Sequence, residues 1–180
     1  MALPEGVRIE PLRQEWVRGA LLVKNAGWRD TYLPWLGEEY LDRLDAGLER
    51  GVAGWSAALA EGRLMPTWVA LTADDAVVGV GAGATVEAMA AIEGRLAGAA
   101  AAGVSHELGV LYVDGAWRGL GIAEALTDAA IGSHPAQLWV LEDNPRARAF
   151  YGKMGFVADG GMEELPPEWN GAREIRMVRR

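Results

Sequence analysis

Cysteine is absent from the 180 residues, and only two histidines and two phenylalanines occur. Without thiols there is no disulfide, no thiolate metal site and no cysteine nucleophile. Two histidines in all make metal catalysis an unexpected chemistry for this chain, and none is predicted. No apolar run approaches the roughly 18 residues of a membrane-spanning helix; positions 96–104 come closest but are short and mostly Ala and Gly. The opening Met1-Ala2-Leu3-Pro4-Glu5-Gly6 has no basic region followed by a long apolar one, so no secretory signal is expected. A soluble cytoplasmic protein, with no membrane partner, is the default expectation. Positive charge is scarce too: a net charge of −8 argues against nucleic acid, which needs a basic face. The acidic balance suits a cationic substrate, and it suits plain solubility equally well.

What is present is a globular composition, 51% apolar, of a length suited to about one domain. Val7-Arg8-Ile9-Glu10 alternates before Pro11 and predicts a short first strand. From Gln14 to about Ala26, Trp16, Val17, Ala20, Leu21 and Val23 fall at helical spacing, and Gly27 is expected to stop that helix. Further helices are predicted around Glu38–Leu48 and Trp55–Glu61. Thr67–Thr72 and Val77–Thr85 flank Ala73-Asp74-Asp75-Ala76 as a hairpin. Residues 87–104 read either as a short helix from Glu87 to Ala97 or as a connector. Then follow a strand (107–113), a helix (about 120–132) ended by Pro135, a strand (137–141), a helix (about 145–154), a strand (155–159) and a last strand, Glu174–Arg179. This order predicts an α/β fold with a mixed sheet, antiparallel hairpins early and a βαβ unit late, with no internal repeat or domain boundary.

Between Glu107 and Ala123 a strand delivers the chain through a short turn into Arg118-Gly119-Leu120-Gly121-Ile122-Ala123. A helix N-terminus leaves N–H groups unpaired and carries about half a positive charge, so it binds phosphate. Gly119 and Gly121 let the backbone approach such a ligand, and Arg118 adds a permanent cation. A dinucleotide fingerprint needs a third glycine where Glu124 stands, although Glu142 sits about 20 residues on as a ribose contact would. A P-loop fails for want of Gly-Lys-Ser/Thr, and His106-Glu107 begins a zinc-protease motif that Val110 breaks.

Arg118 to Ala123 resembles, at every defined position, the acetyl-CoA site of the GCN5-related N-acetyltransferases. Asn144-Pro145-Arg146-Ala147-Arg148-Ala149-Phe150-Tyr151-Gly152-Lys153-Met154-Gly155-Phe156 resembles the second signature of that superfamily, in the expected order. The segment from Trp28-Arg29-Asp30-Thr31-Tyr32 to Glu39-Tyr40-Leu41 is similar to N-terminal helices of bacterial members. Asp114-Gly115 departs from the His-Pro frequent in the preceding turn, a place where Asp-Gly serves well. The resemblance covers residues 6–180 as one domain. It implies a central, mixed, mostly antiparallel sheet whose central strands splay apart, flanked by helices. It also implies an acyltransferase that takes acetyl-CoA as co-substrate, needs no metal and acetylates an amine; a homodimer is compatible with this fold.

The resemblance assigns the residues as follows. The strands at 107–113 and 137–141 admit the pantetheine, bonded to the main chain of Leu111, Tyr112 and Val113, with the Leu111 N–H at the oxyanion position. Arg118, Gly119, Leu120, Gly121, Ile122 and Ala123 hold the pyrophosphate, Arg146 reaches toward the CoA phosphates, and Asn144 lies near the pantetheine. Asn144 serves equally as a helix cap. Tyr151 lies near the sulfur and protonates the departing thiolate, while Phe150 beside it fills a core role. Glu107 is placed to act as general base, an office that ordered water can also fill, and otherwise reads as a strand-end carboxylate in solvent. Trp28 and Tyr32 wall the acceptor pocket, with Asp30, Glu38 or Glu39 nearby to suit a cationic amine, or else they are core aromatics at helical spacing. The loop Glu163–Trp169 is a second candidate wall. Lys153 reads as an exposed helix cation. A binding module that kept the fold and lost the chemistry is the alternative reading. The acceptor stays open between antibiotic, polyamine, amino acid and protein N-terminus.

Overall fold

The computed structural model describes residues 3–93 and 100–180. Along them run β1 (Arg8–Pro11), α1 (Val17–Ala46), α2 (Leu48–Ala60), β2 (Thr67–Leu71), β3 (Val77–Thr85) and α3 (Val86–Glu93). The second half carries β4 (His106–Val113), α4 (Ile122–Ile131), β5 (Ala136–Leu141), α5 (Pro145–Lys153), β6 (Val157–Glu164) and β7 (Arg173–Arg179). The strands form one mixed sheet in the order β1-β2-β3-β4-β5-β7-β6, in which β4 and β5 are parallel and the other neighbours antiparallel. The expected hairpin and the βαβ unit β4-α4-β5 both form. One parallel pair in an otherwise antiparallel sheet leaves no room for the doubly wound sheet of a dinucleotide fold.

Helices cover both faces. Val69, Leu71 and Val80 of the sheet meet Val17, Ala20, Leu21 and Val23 of α1. On the other face Ala70 and Val78 meet Ile122 and Leu126 of α4, and Leu138, Ile175 and Met177 pack with Phe156 beyond α5. A Cβ at Gly79 or Gly83 of β3 would lie within 3.0 Å of Leu126 or Ile131, so the bare strand sets how closely α4 rides on the sheet.

Four local expectations are corrected. Gly27 does not stop the first helix: α1 runs through it, and Gly27 is buried against the Tyr112 ring. The break falls at Gly37 (φ 70°, ψ 167°), three residues after Pro34, whose missing N–H removes a helix bond. The part of α1 after Gly37 is the helix expected from Glu38, with Leu41 fully buried. Pro135 does not end α4; the helix stops at Ile131 with Gly132 at φ 53°, while the Pro135 carbonyl accepts the N–H groups of Ser105 and His106. α2 begins at Leu48, earlier than the spacing suggested, and β6 extends to Glu164. In the undecided stretch α3 is helical over Val86–Glu93, and the remainder up to residue 99 lies outside the described residues.

The feature that positions the site is the divergence of β4 from β5. They pair only at His106↔Ala136 and Glu107↔Gln137. Immediately afterwards the β3–β4 register shifts, Ala82↔Val110 following Gly83↔Leu108, so Gly109 is an extra residue in β4. A bulge bends its strand and ends local pairing. From Leu108 onward β4 follows β3 while β5 follows β7, and a cleft opens between them.

At the closed end of this cleft the rings of His106 and His134 stack, centroids 4.1 Å apart. Partial burial and the facing His134 ring lower the His106 pKa, with Glu87 opposing. Because the folded state then binds fewer protons than the unfolded chain, this contribution is intact above about pH 6.5 and fades as pH falls below it. The urea midpoint is expected to drop between pH 7.5 and pH 5.5, and His106→Asn should shrink that drop. An equal drop in the variant would assign the effect elsewhere.

Candidate active site

The cleft is a cavity of about 310 Å³ bounded by β4, β5, α1, the turn before α4 and the face of α5. In a strand, N–H and C=O groups alternate between the two edges. The Asp114 N–H bonds to the Val78 carbonyl of β3 at 2.9 Å, so the main chain of Val113 and Leu111 is turned the other way, into the cleft. The side chains of Leu111 and Val113 go to the α4 face, those of Val110 and Tyr112 to the α1 face. Leu111, Tyr112 and Val113 all line the cavity.

Its outer end is the glycine turn. Gly119 (φ 77°) and Gly121 (φ 85°) both sit in the left-handed region, which glycine enters without a Cβ penalty. Gly121 is the N-cap of α4 and no side chain caps the helix there. Arg118, Gly119 and Ala123 line the cavity. Ile122 is 1% exposed and belongs to the core, and Leu120 turns outward, so both offer this end main chain only. The Arg118 guanidinium is already oriented: Nε donates to the Val113 carbonyl at 3.0 Å and Nη2 to Asp30 at 2.7 Å. Asp30 is therefore engaged by Arg118 at the glycine turn and does not line the cavity. Glu38 and Glu39 are exposed and stand outside the lining, Glu39 paired with Arg43 one turn on.

From the far side α5 contributes Asn144, Arg146, Phe150 and Tyr151. The Asn144 side chain accepts the Ala147 N–H at 3.0 Å, so it caps the helix while facing the cavity. Arg146 is exposed at the mouth; Lys153 is exposed and outside the lining. Phe150 is not the core phenylalanine. It lines the cavity, and Phe156 fills the core at 1% exposure, because the turn at Gly155 carries the chain back under α5. Tyr151 packs between them, ring centroids 5.3 Å from Phe150 and 6.1 Å from Phe156. Burial raises its pKa, and Tyr32 adds to the shift, so the phenol keeps its proton throughout the neutral range.

Three phenols converge here. Tyr32 of α1 and Tyr112 of β4 line the cavity with their hydroxyl oxygens 3.3 Å apart, and Tyr112 interacts electrostatically with Tyr151. Desolvation raises the pKa of both. Trp28 does not line the cavity; it backs Tyr32 at 5.1 Å, and Trp169 packs on both at 5.9 and 5.1 Å. The two candidate acceptor walls, α1 and the segment before β7, are thus one aromatic cluster. The Asn170 side chain ties them again by donating to the Trp35 carbonyl at 2.5 Å.

Glu107 is not brought to the cavity. It is 7% exposed rather than in solvent, and its carboxylate accepts Gln137 Nε2 at 2.7 Å while Gln137 accepts the Ala101 N–H. The same two residues form the last pair before the strands part. What sequence reading missed is Tyr112 as a side chain, together with Gly27, Thr31 and Trp139 in the lining. The signal for Tyr112 was available: alternation puts it opposite Leu111 and Val113, facing α1.

A sheet opened between a parallel pair, with a glycine-led helix at its mouth, defines an acyl-CoA-type transferase fold. The model of the acetyltransferase (GNAT) domain matches residues 82–178, and the chain belongs to that family. Solved structures are similar over nearly the whole length at low identity. PaiA N-acetyltransferase from Thermoplasma acidophilum, in complex with coenzyme A, is 16% identical, covering 97% of this chain and 98% of its own, TM-score 0.64. Ribosomal-protein-alanine N-acetyltransferase from Brucella melitensis is 19% identical, covering 96% and 98%, TM-score 0.66. Apo YjaB from Escherichia coli is 19% identical, covering 96% of each chain, TM-score 0.63. The comparison with curated proteins gave no match. Among the described residues no helix is long and apolar enough to cross a membrane.

Proposed function

We propose that residues 6–180 form one domain acting in the cytoplasm as an acetyl-CoA-dependent N-acetyltransferase. It would pass the acetyl group directly to a primary amine of a small molecule or peptide. The observation that carries this reading is the coincidence of three elements on one cavity: the cleft-facing main chain of Leu111 and Val113, the uncapped start of α4, and the half-buried phenol of Tyr151.

In this reading Arg118, Gly119, Gly121 and the first N–H groups of α4 receive the pyrophosphate, with Arg146 at the mouth. Val113 and Leu111 bond the pantetheine amides as a missing strand would, and the Leu111 N–H meets the thioester oxygen as it becomes an oxyanion. The amine nitrogen attacks the thioester carbon, the C–S bond breaks, and Tyr151 gives its proton to the thiolate. One proton leaves the nitrogen, and Tyr151 regains its own from solvent, so the transfer consumes and releases no net proton. We assign removal of the nitrogen proton to water in the cavity rather than to Glu107, because that carboxylate is buried against Gln137 outside the lining.

The test is thiol release from acetyl-CoA with a panel of amines, beside calorimetry with CoA. Turnover on at least one amine together with CoA binding is the expected result. Tight CoA binding without turnover on any amine would mark a non-catalytic binding module. Failure of CoA to bind would end the reading.

A further inference from the structure

We infer that the hydroxyls of Tyr32 and Tyr112 form the cradle for the acceptor nitrogen, and that the acceptor is a weakly basic primary amine on an apolar body with no second positive charge. The inference deepens the acetyl-transfer reading and rests on it.

The pair is built rather than incidental. Tyr112 can lie against α1 only because residue 27 has no side chain: a Cβ there would stand 2.3 Å from Tyr112 Cδ1. Tyr32 is pinned by Trp28 and Trp169 with its oxygen 3.3 Å from that of Tyr112. One hydroxyl hydrogen and one lone pair are spent inside the pair. Oxygen lone pairs remain for the cavity that both residues line.

A neutral primary amine brings two N–H donors and one lone pair. If phenol oxygens accept the N–H groups, the lone pair is left for the thioester carbon. As the C–N bond forms, the nitrogen gains positive charge and those bonds strengthen, which favours the transition state over the ground state. An ammonium ion would find no such reception. No carboxylate occurs among the described lining residues, and the charged side chains that do line the cavity are Arg118 and Arg146. Behind the wall the Lys24 ammonium lies 4.4 Å from the Trp28 ring centre. Glu174 of β7 acts on Tyr32 electrostatically from outside the lining. A polyamine or aminoglycoside would bring extra cations to an acceptor end of phenols and apolar groups, where no described lining residue is a carboxylate that could receive them.

The experiment measures kcat/KM for three probes, phenethylamine, its β,β-difluoro analogue of nearly the same shape and lower basicity, and spermidine. It uses wild type, Tyr32→Phe, Tyr112→Phe and the double variant, with CoA affinity by calorimetry and melting curves as controls of binding and folding. The difluoro analogue should at least match phenethylamine, and both should exceed spermidine. Each single variant should lose about tenfold in kcat/KM, the scale of a lost hydrogen bond. The double variant should lose little more than the worse single one, because the two hydroxyls act as a unit, while CoA affinity holds. Preference for spermidine, single variants within twofold of wild type, or fully additive losses would each overturn the inference while leaving acetyl transfer standing. Absence of thiol release with every amine would overturn both, and CoA calorimetry would show whether donor binding failed as well.

Discussion

Replacing Tyr151 with phenylalanine is expected to lower kcat by roughly 100-fold while leaving CoA affinity unchanged. The substitution removes one oxygen and keeps the ring that packs between Phe150 and Phe156, so the fold has no reason to respond. What is lost is the phenolic proton that the proposed reaction passes to the thiolate. Burial disfavours the phenolate and raises the Tyr151 pKa, and the neighbouring Tyr32 phenol adds to the shift. The hydroxyl therefore stays protonated where a thiolate has to be neutralised. The same shift predicts that wild-type kcat shows no alkaline decline up to about pH 10, where an ordinary tyrosine would ionise. An interaction used only in the transition state lowers kcat and kcat/KM alike, and stopped-flow thiol release with CoA calorimetry separates that from weakened binding. An unchanged kcat in Tyr151→Phe would remove this residue from the chemistry.

Gly27→Ala should be destabilising by about 1–3 kcal/mol and should cost most of the acceptor turnover as well. Helix propensity pulls the other way, favouring alanine over glycine in a helix interior by about 1 kcal/mol. Packing decides the sign. The added Cβ would meet Tyr112 at Cδ1 (2.3 Å), Cγ (2.9 Å) and Cβ (3.2 Å), the base of the side chain rather than a flexible tip. Tyr112 cannot swing aside without leaving its rotamer, and β4 is held by β3 on one edge. Either α1 lifts or the ring moves, and both separate the Tyr112 hydroxyl from Tyr32. Thermal melts and acceptor kcat/KM should fall together, while CoA binding at the far end of the cavity changes little. A melting point at or above wild type would mean that the ring has room that the structure does not show.

Gly27 also illustrates why some of the fold was illegible in the chain. A glycine after a helical run reads as a stop, because its local preference is all that the sequence displays. Its actual role is to let a strand aromatic from 85 residues further along come close, a relation that has no local signature. Phe150 was read as core for the same reason: two phenylalanines six residues apart look alike until the Gly155 turn shows that Phe156 is the one facing the core. Asp30 looked like a partner for a substrate cation, and only the approach of α1 to the glycine turn pairs it with Arg118. Glu107 lay at the right spacing from the glycine motif, yet its position beside Gln137 depends on the short stretch over which β4 and β5 still pair.

The sequence by itself determined the strand, turn and helix that make the glycine-turn end of the cavity. That end is built from contiguous residues whose conformations follow from local rules: glycines at positive φ and an uncapped helix start. It also determined the order of strands and helices and, through its two motifs, the family. The end where the tyrosines meet was decided by tertiary structure alone. It is assembled from α1, β4, α5 and the segment before β7, and the distances among Tyr32, Tyr112, Tyr151 and Trp169 depend on how helices pack on a bulged sheet. Local chemistry along a chain can specify a backbone that binds phosphate. It cannot specify which side chains from distant elements will meet, because packing sets that only after the sheet has opened.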